Sequence, residues 1–194
     1  MIRFRAVAPL VMALAVVSGC TASAEPSSSE PETPPPFVAC DTLASPPASA
    51  SPAPSPNELP DLSLPCFTGG EQVNLRDVRL PAVINIWGSW CSPCREELPV
   101  IQGLADRADG RLTVFTVDSM DRREGATAFA ADNGISMPTL FDPEQSLAIA
   151  VKQPTLPATI FVDPAGKVYV HRLPLDVDGL IKQVKEHTGV TVTR

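Results

Sequence analysis

The sequence predicts an α/β domain with a mixed central β-sheet flanked by helices. Two near-continuous apolar runs, at 82–87 and 112–119, are typical of strands that are covered on both faces. Apolar residues recur at helical spacing in the segment between these runs. Two later runs, at 158–163 and 167–172, flank a Pro-Ala-Gly turn and predict an antiparallel hairpin. Strands joined through helices, together with that hairpin, imply a sheet of mixed strand direction.

The other elements follow from periodicity and from the residues at their ends. Apolar and polar residues alternate around the Gly-Gly pair at 69–70, which indicates an N-terminal β-hairpin. Pro93 favours the first turn of the helix that follows the first apolar run. A second helix is expected to end at the Asn-Gly pair at 133–134. A short strand, a short helix and a closing amphipathic helix are predicted at 137–142, 144–151 and 176–187.

The N-terminal region predicts export and a lipid anchor. Arg3 and Arg5 precede an apolar run that is too short to cross a bilayer, which is typical of an export signal. This run ends in V-S-G-C, which resembles the lipobox of bacterial lipoproteins, whose cysteine is acylated and here would be Cys20. A plain secretory peptide with a chance cysteine is the alternative. We expect a lipid-anchored protein on the extracytoplasmic face of the cell membrane.

The stretch after Cys20 is rich in proline, serine and alanine and has very few large apolar residues. Such a composition cannot bury a core, so it predicts an extended spacer between the membrane and a folded domain. The expected organisation is a signal peptide, a spacer and a folded domain, at 1–19, 20–58 and 59–194. The chain is acidic, with a net charge of −7 and no basic stripe, which argues against a nucleic-acid partner.

Cys91 and Cys94, separated by two residues, carry the strongest functional signal. Cys91 follows a predicted buried strand, and Cys94 falls in the first turn of the next helix. The helix dipole and unpaired backbone N–H groups at this position stabilise a thiolate, which is the form that attacks disulfides. A zinc site would need a second ligand pair, and His171 and His187 lack suitable spacing. We therefore expect a redox dithiol without metal or cofactor, and an inert structural disulfide is the alternative.

The pattern W-x-x-W-C-x-x-C after an apolar strand resembles the thioredoxin superfamily. The longer run NIWGSWCSPCREELP, at 85–99, resembles the TlpA/ResA/CcmG (DsbE-like) branch of membrane-tethered, extracytoplasmic thiol-disulfide oxidoreductases. With the later LPAT-IFVD-PAG segment, the resemblance covers roughly residues 59–188. It implies a thioredoxin-like fold with an N-terminal β-hairpin and a central βα insertion. It also implies that Cys91 is the nucleophile and Cys94 the resolving thiol.

The resemblance assigns three further residues to the substrate side of the site. Pro157 matches the family's cis-proline, which presents backbone to an extended substrate; an ordinary trans proline at a strand edge is the alternative. Leu156 would then line the substrate groove. Trp90 directly precedes the nucleophile and borders the active site in the family, whereas simple packing is its alternative role.

Glu97 is the candidate proton-handling residue. Asn85 stands where thioredoxin has a buried aspartate, and an amide cannot titrate. Glu97 lies three residues after Cys94 and therefore on the same helix face, and the TlpA/ResA branch also carries a glutamate there. A carboxyl on an apolar face is expected to have a raised pKa, which suits proton exchange with a buried thiol. Complementing the helix N-terminus is the alternative role of Glu97.

Cys40 and Cys66 remain once Cys20 is lipidated and Cys91 and Cys94 are paired. In an oxidising compartment these two are expected to form a structural disulfide, and two free thiols are the alternative. The bond would close a loop of about 27 residues and add roughly 3–4 kcal/mol of stability by the chain-entropy estimate.

The function that the resemblance implies is reduction of disulfides in exported proteins, with apocytochrome c as one candidate substrate and a membrane partner that supplies electrons. A disulfide-forming oxidase is an alternative, because Ser92-Pro93 alone does not set the reduction potential. A non-catalytic surface lipoprotein that uses the fold for binding is a second alternative. A peroxidase is disfavoured, since peroxidatic sites in related folds use a lone cysteine after threonine, whereas Trp90 precedes a pair.

Overall fold

The computed structural model describes residues 34–44 and 58–194. The predicted signal peptide, Cys20 and much of the predicted spacer lie outside the described residues. Within the described ranges, no helix combines the length and the apolar character needed to span a membrane.

The described elements follow the predicted order of strands and helices. The strands are β1 (Ser63–Pro65), β2 (Gln72–Asn74), β3 (Ala82–Trp87), β4 (Thr113–Ser119), β5 (Thr139–Asp142), β6 (Ala158–Val162) and β7 (Val168–His171). The helices are α1 (Ser92–Arg107), α2 (Arg123–Asp132), α3 (Ser146–Ala150) and α4 (Val177–Thr188).

The central sheet has the strand order β5-β4-β3-β6-β7. Strand β3 pairs parallel with β4 and antiparallel with β6, while β5 extends the parallel side and β7 the antiparallel side. Strands β1 and β2 form a separate antiparallel hairpin. The predicted thioredoxin-like α/β fold, with a mixed sheet and an N-terminal hairpin, is therefore confirmed.

Strand β3 organises the domain because it lies in the middle of the sheet and all of its residues are buried. Its alternate side chains enter two different hydrophobic clusters, as expected for a strand that is covered on both faces. Val83 and Trp87 pack with the apolar side chains of α1, while Ile84 and Ile86 pack in the cluster on the opposite face. This burial fixes the end of β3, from which the chain continues into α1.

Part of the predicted spacer packs against the domain. Phe37 is buried and meets the ring of Phe67 edge-to-face, with a centroid distance of 4.7 Å. Leu43 is also buried, and its carbonyl oxygen accepts a hydrogen bond from the backbone of Arg79. The folded unit therefore extends N-terminal of the predicted boundary at residue 59 and includes 34–44. This packing was not predicted because the segment is rich in proline. Only two large apolar side chains, Phe37 and Leu43, make the contact.

A disulfide between Cys40 and Cys66 joins this N-terminal segment to the end of β1, with the two Cα atoms 5.9 Å apart. Both cysteines are buried in the hydrophobic cluster on the face of the sheet opposite α1. Cys66 also forms an isolated bridge with Leu140 of β5. The bond therefore ties the segment to the edge of the central sheet as well as to the hairpin.

We expect the double variant Cys40→Ala/Cys66→Ala to lose about 3–4 kcal/mol of unfolding free energy, because the unfolded chain regains the freedom of the closed loop. Urea denaturation followed by circular dichroism measures the change. The matched control is Cys91→Ala/Cys94→Ala, which opens a ring with a sequence separation of only 3 and should lose less. Equal losses in the two double variants would contradict a stapling role for Cys40–Cys66.

Candidate active site

The dithiol lies where β3 leads into α1. Cys91 is the N-cap of α1, and its Sγ accepts a hydrogen bond from the backbone N–H of Cys94 at 3.3 Å. Pro93 occupies the first turn, where its missing N–H removes no helical hydrogen bond. The partial positive charge of a helix N-terminus therefore faces the Cys91 sulfur, and this stabilises a thiolate when the pair is reduced.

The two sulfurs differ in accessibility. They are joined by a disulfide with a Cα–Cα distance of 5.3 Å. Both cysteines belong to the core cluster, but Cys91 keeps 5% exposure whereas Cys94 is fully buried. An incoming thiolate or a substrate disulfide therefore reaches Cys91 first, and Cys94 is shielded from intermolecular reaction.

Trp90 forms the exposed border of the site. Its side chain is 56% exposed, and its indole Nε1 donates a hydrogen bond to the Ser119 carbonyl oxygen at 3.4 Å. Gly88 makes this position possible, because a Cβ there would lie only 2.6 Å from Trp90 Nε1. Trp87, in contrast, is fully buried and donates to Thr116 Oγ1 at 3.1 Å.

The peptide bond between Leu156 and Pro157 is cis. Pro157 is buried, and it directly precedes Ala158, which pairs with Ile86 on β3. This register places the cis bond at the end of β3 that leads to Cys91. Leu156 is half-buried and packs against the core cluster that contains the two cysteines. The structure therefore brings the predicted groove residues to the same end of the sheet as the dithiol.

Glu97 lies one helical turn after Cys94 and is only 2% exposed. Its Oε2 accepts a hydrogen bond from Asn85 Nδ2 at 2.9 Å. Its Oε1 accepts from the Leu175 backbone N–H at 2.9 Å and from Thr159 Oγ1 at 3.4 Å. Elements distant in sequence therefore converge on this single carboxyl.

Burial raises the pKa of Glu97, and the hydrogen bonds from Asn85, Leu175 and Thr159 oppose this effect without overcoming it. The Asn85 amide oxygen is buried and has no hydrogen-bond partner among the described residues. Rotation of this amide would present Oδ1 to a protonated Glu97, so the pocket can accommodate the carboxyl in either protonation state.

Sequence reasoning missed several residues of this region. Thr159 and the Leu175 backbone join the Glu97 pocket only through tertiary contacts, and no local sequence signal marks them. Asp118 is fully buried near the end of β4. The sequence did contain a signal for this buried carboxyl, because an aspartate inside the apolar run at 112–119 is unusual.

The protein-family model described as "AhpC/TSA family" matches residues 56–171. The chain is 26% identical over 103 residues to thiol-disulfide oxidoreductase ResA of Bacillus subtilis (strain 168), covering 52% of this chain and 58% of that protein. It is 32% identical over 118 residues to the thiol:disulfide interchange protein DsbE homolog of Paracoccus denitrificans (strain Pd 1222), covering 59% and 63%. The match thus spans less than two thirds of each relative.

Solved structures with the same fold include DsbF from MTB in mixed oxidised and reduced forms. It has a TM-score of 0.61 and 26% identity, and the match covers 66% of this chain and 96% of that one. A secreted thiol-disulfide isomerase from Corynebacterium glutamicum has a TM-score of 0.57 and 27% identity, covering 64% and 81%.

We expect Glu97→Gln to alter the pH dependence of stability. Folded Glu97 holds its proton more tightly than unfolded Glu97, so the folded state binds more protons between the two pKa values. Stability of the wild type therefore falls as pH rises from the unfolded pKa through the raised folded pKa. The variant should lack this component of the fall, as measured by urea unfolding across a pH series.

Glu96→Gln is the matched control, because Glu96 is the neighbouring residue and is exposed. Its pH profile of stability should follow that of the wild type. Parallel profiles for Glu97→Gln and the wild type would contradict the assignment of a raised pKa to Glu97.

Proposed function

This chain belongs to the AhpC/TSA family, and we propose that it is an extracytoplasmic thiol-disulfide oxidoreductase that works through Cys91 and Cys94. The observation that carries the proposal is the pair of sulfurs at the N-terminus of α1, with Cys91 slightly exposed and Cys94 fully buried. Relatives named as thiol-disulfide oxidoreductases and thiol:disulfide interchange proteins support the same class of reaction.

In the proposed reaction the reduced protein transfers two electrons to a substrate disulfide. The Cys91 thiolate attacks one substrate sulfur, which forms a mixed disulfide and releases the other substrate sulfur as a thiolate. Cys94 then loses its proton and attacks Cys91 Sγ. This step releases the second substrate thiolate and forms the Cys91–Cys94 disulfide, while the released thiolates take up protons from solvent or from a protein acid.

Glu97 is proposed to take the proton of Cys94 during this second step. Cys94 is fully buried, so its proton cannot leave directly to bulk water. Glu97 lies on the next turn of the same helix face, and its raised pKa favours proton uptake by the carboxylate. The unpartnered oxygen of Asn85 can accept a hydrogen bond from the carboxyl once it is protonated.

Trp90, Leu156 and Pro157 are proposed to contact the substrate. Trp90 supplies an exposed apolar surface beside Cys91. The backbone at Leu156–Pro157 lies at the same end of the sheet, where β6 begins. An extended substrate segment that lies between these features would place its sulfur near Cys91.

We propose reduction of exported proteins as the direction of the reaction, with apocytochrome c as a candidate substrate and a membrane redox partner as the electron source. This direction is supported by the resemblance to the TlpA/ResA/CcmG branch. A disulfide-forming oxidase would use the same atoms with electrons moving in the opposite direction. The reduction potential of the pair distinguishes the two, because it reports the relative stability of dithiol and disulfide.

The proposed location is the extracytoplasmic face of the cell membrane, with Cys20 as the lipidated residue. The lipobox-like sequence before Cys20 supports this proposal. We expect the full chain expressed in a bacterial host to partition into a detergent phase, and Cys20→Ala to partition into water. Cys40→Ala is the control for loss of a cysteine and should remain in the detergent phase. Aqueous partitioning of the wild type would contradict the anchor.

We expect Cys94→Ala to accumulate mixed disulfides in the native host, because the Cys91 adduct can no longer be resolved. Non-reducing electrophoresis followed by mass spectrometry of the trapped partners measures this result. Cys91→Ala is the matched control and should trap far fewer partners, since the remaining sulfur is buried.

The identity of the trapped partners separates cytochrome maturation from general protein reduction.

Two results would contradict the proposed activity. One is the absence of Cys91 adducts in Cys94→Ala. The other is consumption of peroxide by the reduced wild type at a rate well above its reduction of protein disulfides.

A further inference from the structure

Asp118 is a buried carboxyl that the proposed mechanism does not use. It lies near the end of β4, paired in register with Trp87 on β3 and with Phe141 on β5. The residue is fully buried, and neither of its carboxyl oxygens accepts a hydrogen bond from a donor among the described residues. An ionised carboxylate in such a position would be strongly unfavourable, so the geometry requires an explanation.

Asp121 follows Asp118 by three residues, and its nearby carboxyl is one of the causes that raise the pKa of Asp118. Its own oxygens are occupied by the loop that leads to the dithiol. Asp121 Oδ2 accepts from the Ser89 backbone N–H, while Oδ1 accepts from Ser89 Oγ at 3.0 Å and from the Arg122 N–H at 2.7 Å. Ser89 stands two residues before Cys91, so Asp121 holds the segment that carries the nucleophile.

Helix α2 packs closely against one side of Ser89. A Cβ added at Gly125, on α2, would lie 2.8 Å from Ser89 Oγ. On the other side, Trp90 Nε1 donates to the carbonyl of Ser119, the residue next to Asp118. The loop is thus held by Asp121 and by the end of β4, and both attachments lie beside the Asp118 carboxyl.

Burial raises the pKa of Asp118 to about 9, with the nearby Asp121 carboxyl as the second cause and Arg123 opposing the shift. Strands β3 and β5 present only the uncharged partners Trp87 and Phe141 in register with it. On α1 the buried titratable group is Glu97, whose hydrogen bonds are made to other residues. Asp118 therefore carries a proton at neutral pH, and this proton can be donated to Asp121.

We propose that Asp118 and Asp121 share one proton and act as positioning residues that hold the Ser89–Cys91 loop for thiol-disulfide exchange. With the proton present, a single negative charge lies on Asp121 and accepts the bonds from Ser89. When the proton leaves, two adjacent carboxylates repel each other in a buried site, and the attachment of the loop weakens. The link to exchange chemistry rests on the proposed function, whereas the shared proton and its hold on the loop do not.

The tryptophan fluorescence of the oxidised protein tests the shared proton. Trp90 adjoins Ser89 and Trp87 pairs with Asp118, so both indoles lie close to the pair. Cysteines in disulfides do not titrate, and Tyr169→Phe as the common background removes ionisation of the single tyrosine. We expect a one-proton step in fluorescence near pH 9, with unchanged circular dichroism, between neutral pH and about pH 10.

Two substitutions separate the pair from other groups. Asp118→Asn should abolish the step, because an amide donates to Asp121 at every pH. Asp121→Asn should move the step to lower pH, because the charge that disfavours Asp118 ionisation is removed. Asp142→Asn is the matched control: this buried aspartate ends the neighbouring strand, and its oxygens accept the Ser146 and Leu147 N–H groups at 2.9 Å. The control should retain the step.

The rate at which a water-soluble phosphine reduces the Cys91–Cys94 disulfide tests the positioning role. Alkylation and mass spectrometry of the Cys91 peptide measure this rate. We expect the rate in the common background to change by about twofold or more through the same pH step, and the rate in Asp118→Asn to lack that change.

Two results would overturn the proposal that Asp118 and Asp121 share a proton. One is the absence of the fluorescence step in the Tyr169→Phe background, and the other is a step that persists in Asp118→Asn. A step without any matching change in the reduction rate would overturn the positioning role. Failure of the wild type to act on protein disulfides would refute the proposed function and leave both of these results interpretable.

Discussion

The site depends on the junction at which a completely buried central strand ends and a helix begins. Strand β3 is fixed by pairing on both edges and by packing on both faces. Helix α1 is fixed by the apolar side chains that it packs against the sheet. Cys91 stands at the start of that helix, so its sulfur is held where the Cys94 N–H donates to it and the helix dipole is positive.

A row of polar side chains crosses the sheet beneath this junction. The row consists of register partners on four neighbouring strands, namely Thr159, Asn85, Thr116 and Thr139. Hydrogen bonds join Asn85 to Thr159 and Thr116 to Thr139. Polar groups in a core are tolerated when they are hydrogen-bonded to one another. Here the row orients the amide that meets Glu97 and the hydroxyl that anchors Trp87.

Glu97 and Asp118 are both buried acids, and burial is the largest cause of the raised pKa of each. Glu97 lies one turn of α1 after Cys94, and Asp118 is the register partner of Trp87 at the end of β3 that leads to Cys91. Both acids destabilise the folded protein as pH rises, because the folded state retains protons that the unfolded state releases. A disulfide that fastens the N-terminal segment is one of the interactions that offset this cost.

The sequence by itself determined the order of strands and helices and the mixed direction of the sheet, because periodicity and turn residues are local signals. Local motifs also located Cys91, Cys94 and Pro157. The packing of 34–44 was not predictable, since it depends on a few side chains in a proline-rich stretch. Tertiary structure alone decided which donors reach Glu97 and that Asp118 is buried without a hydrogen-bond donor among the described residues, because these surroundings depend on strand order and register.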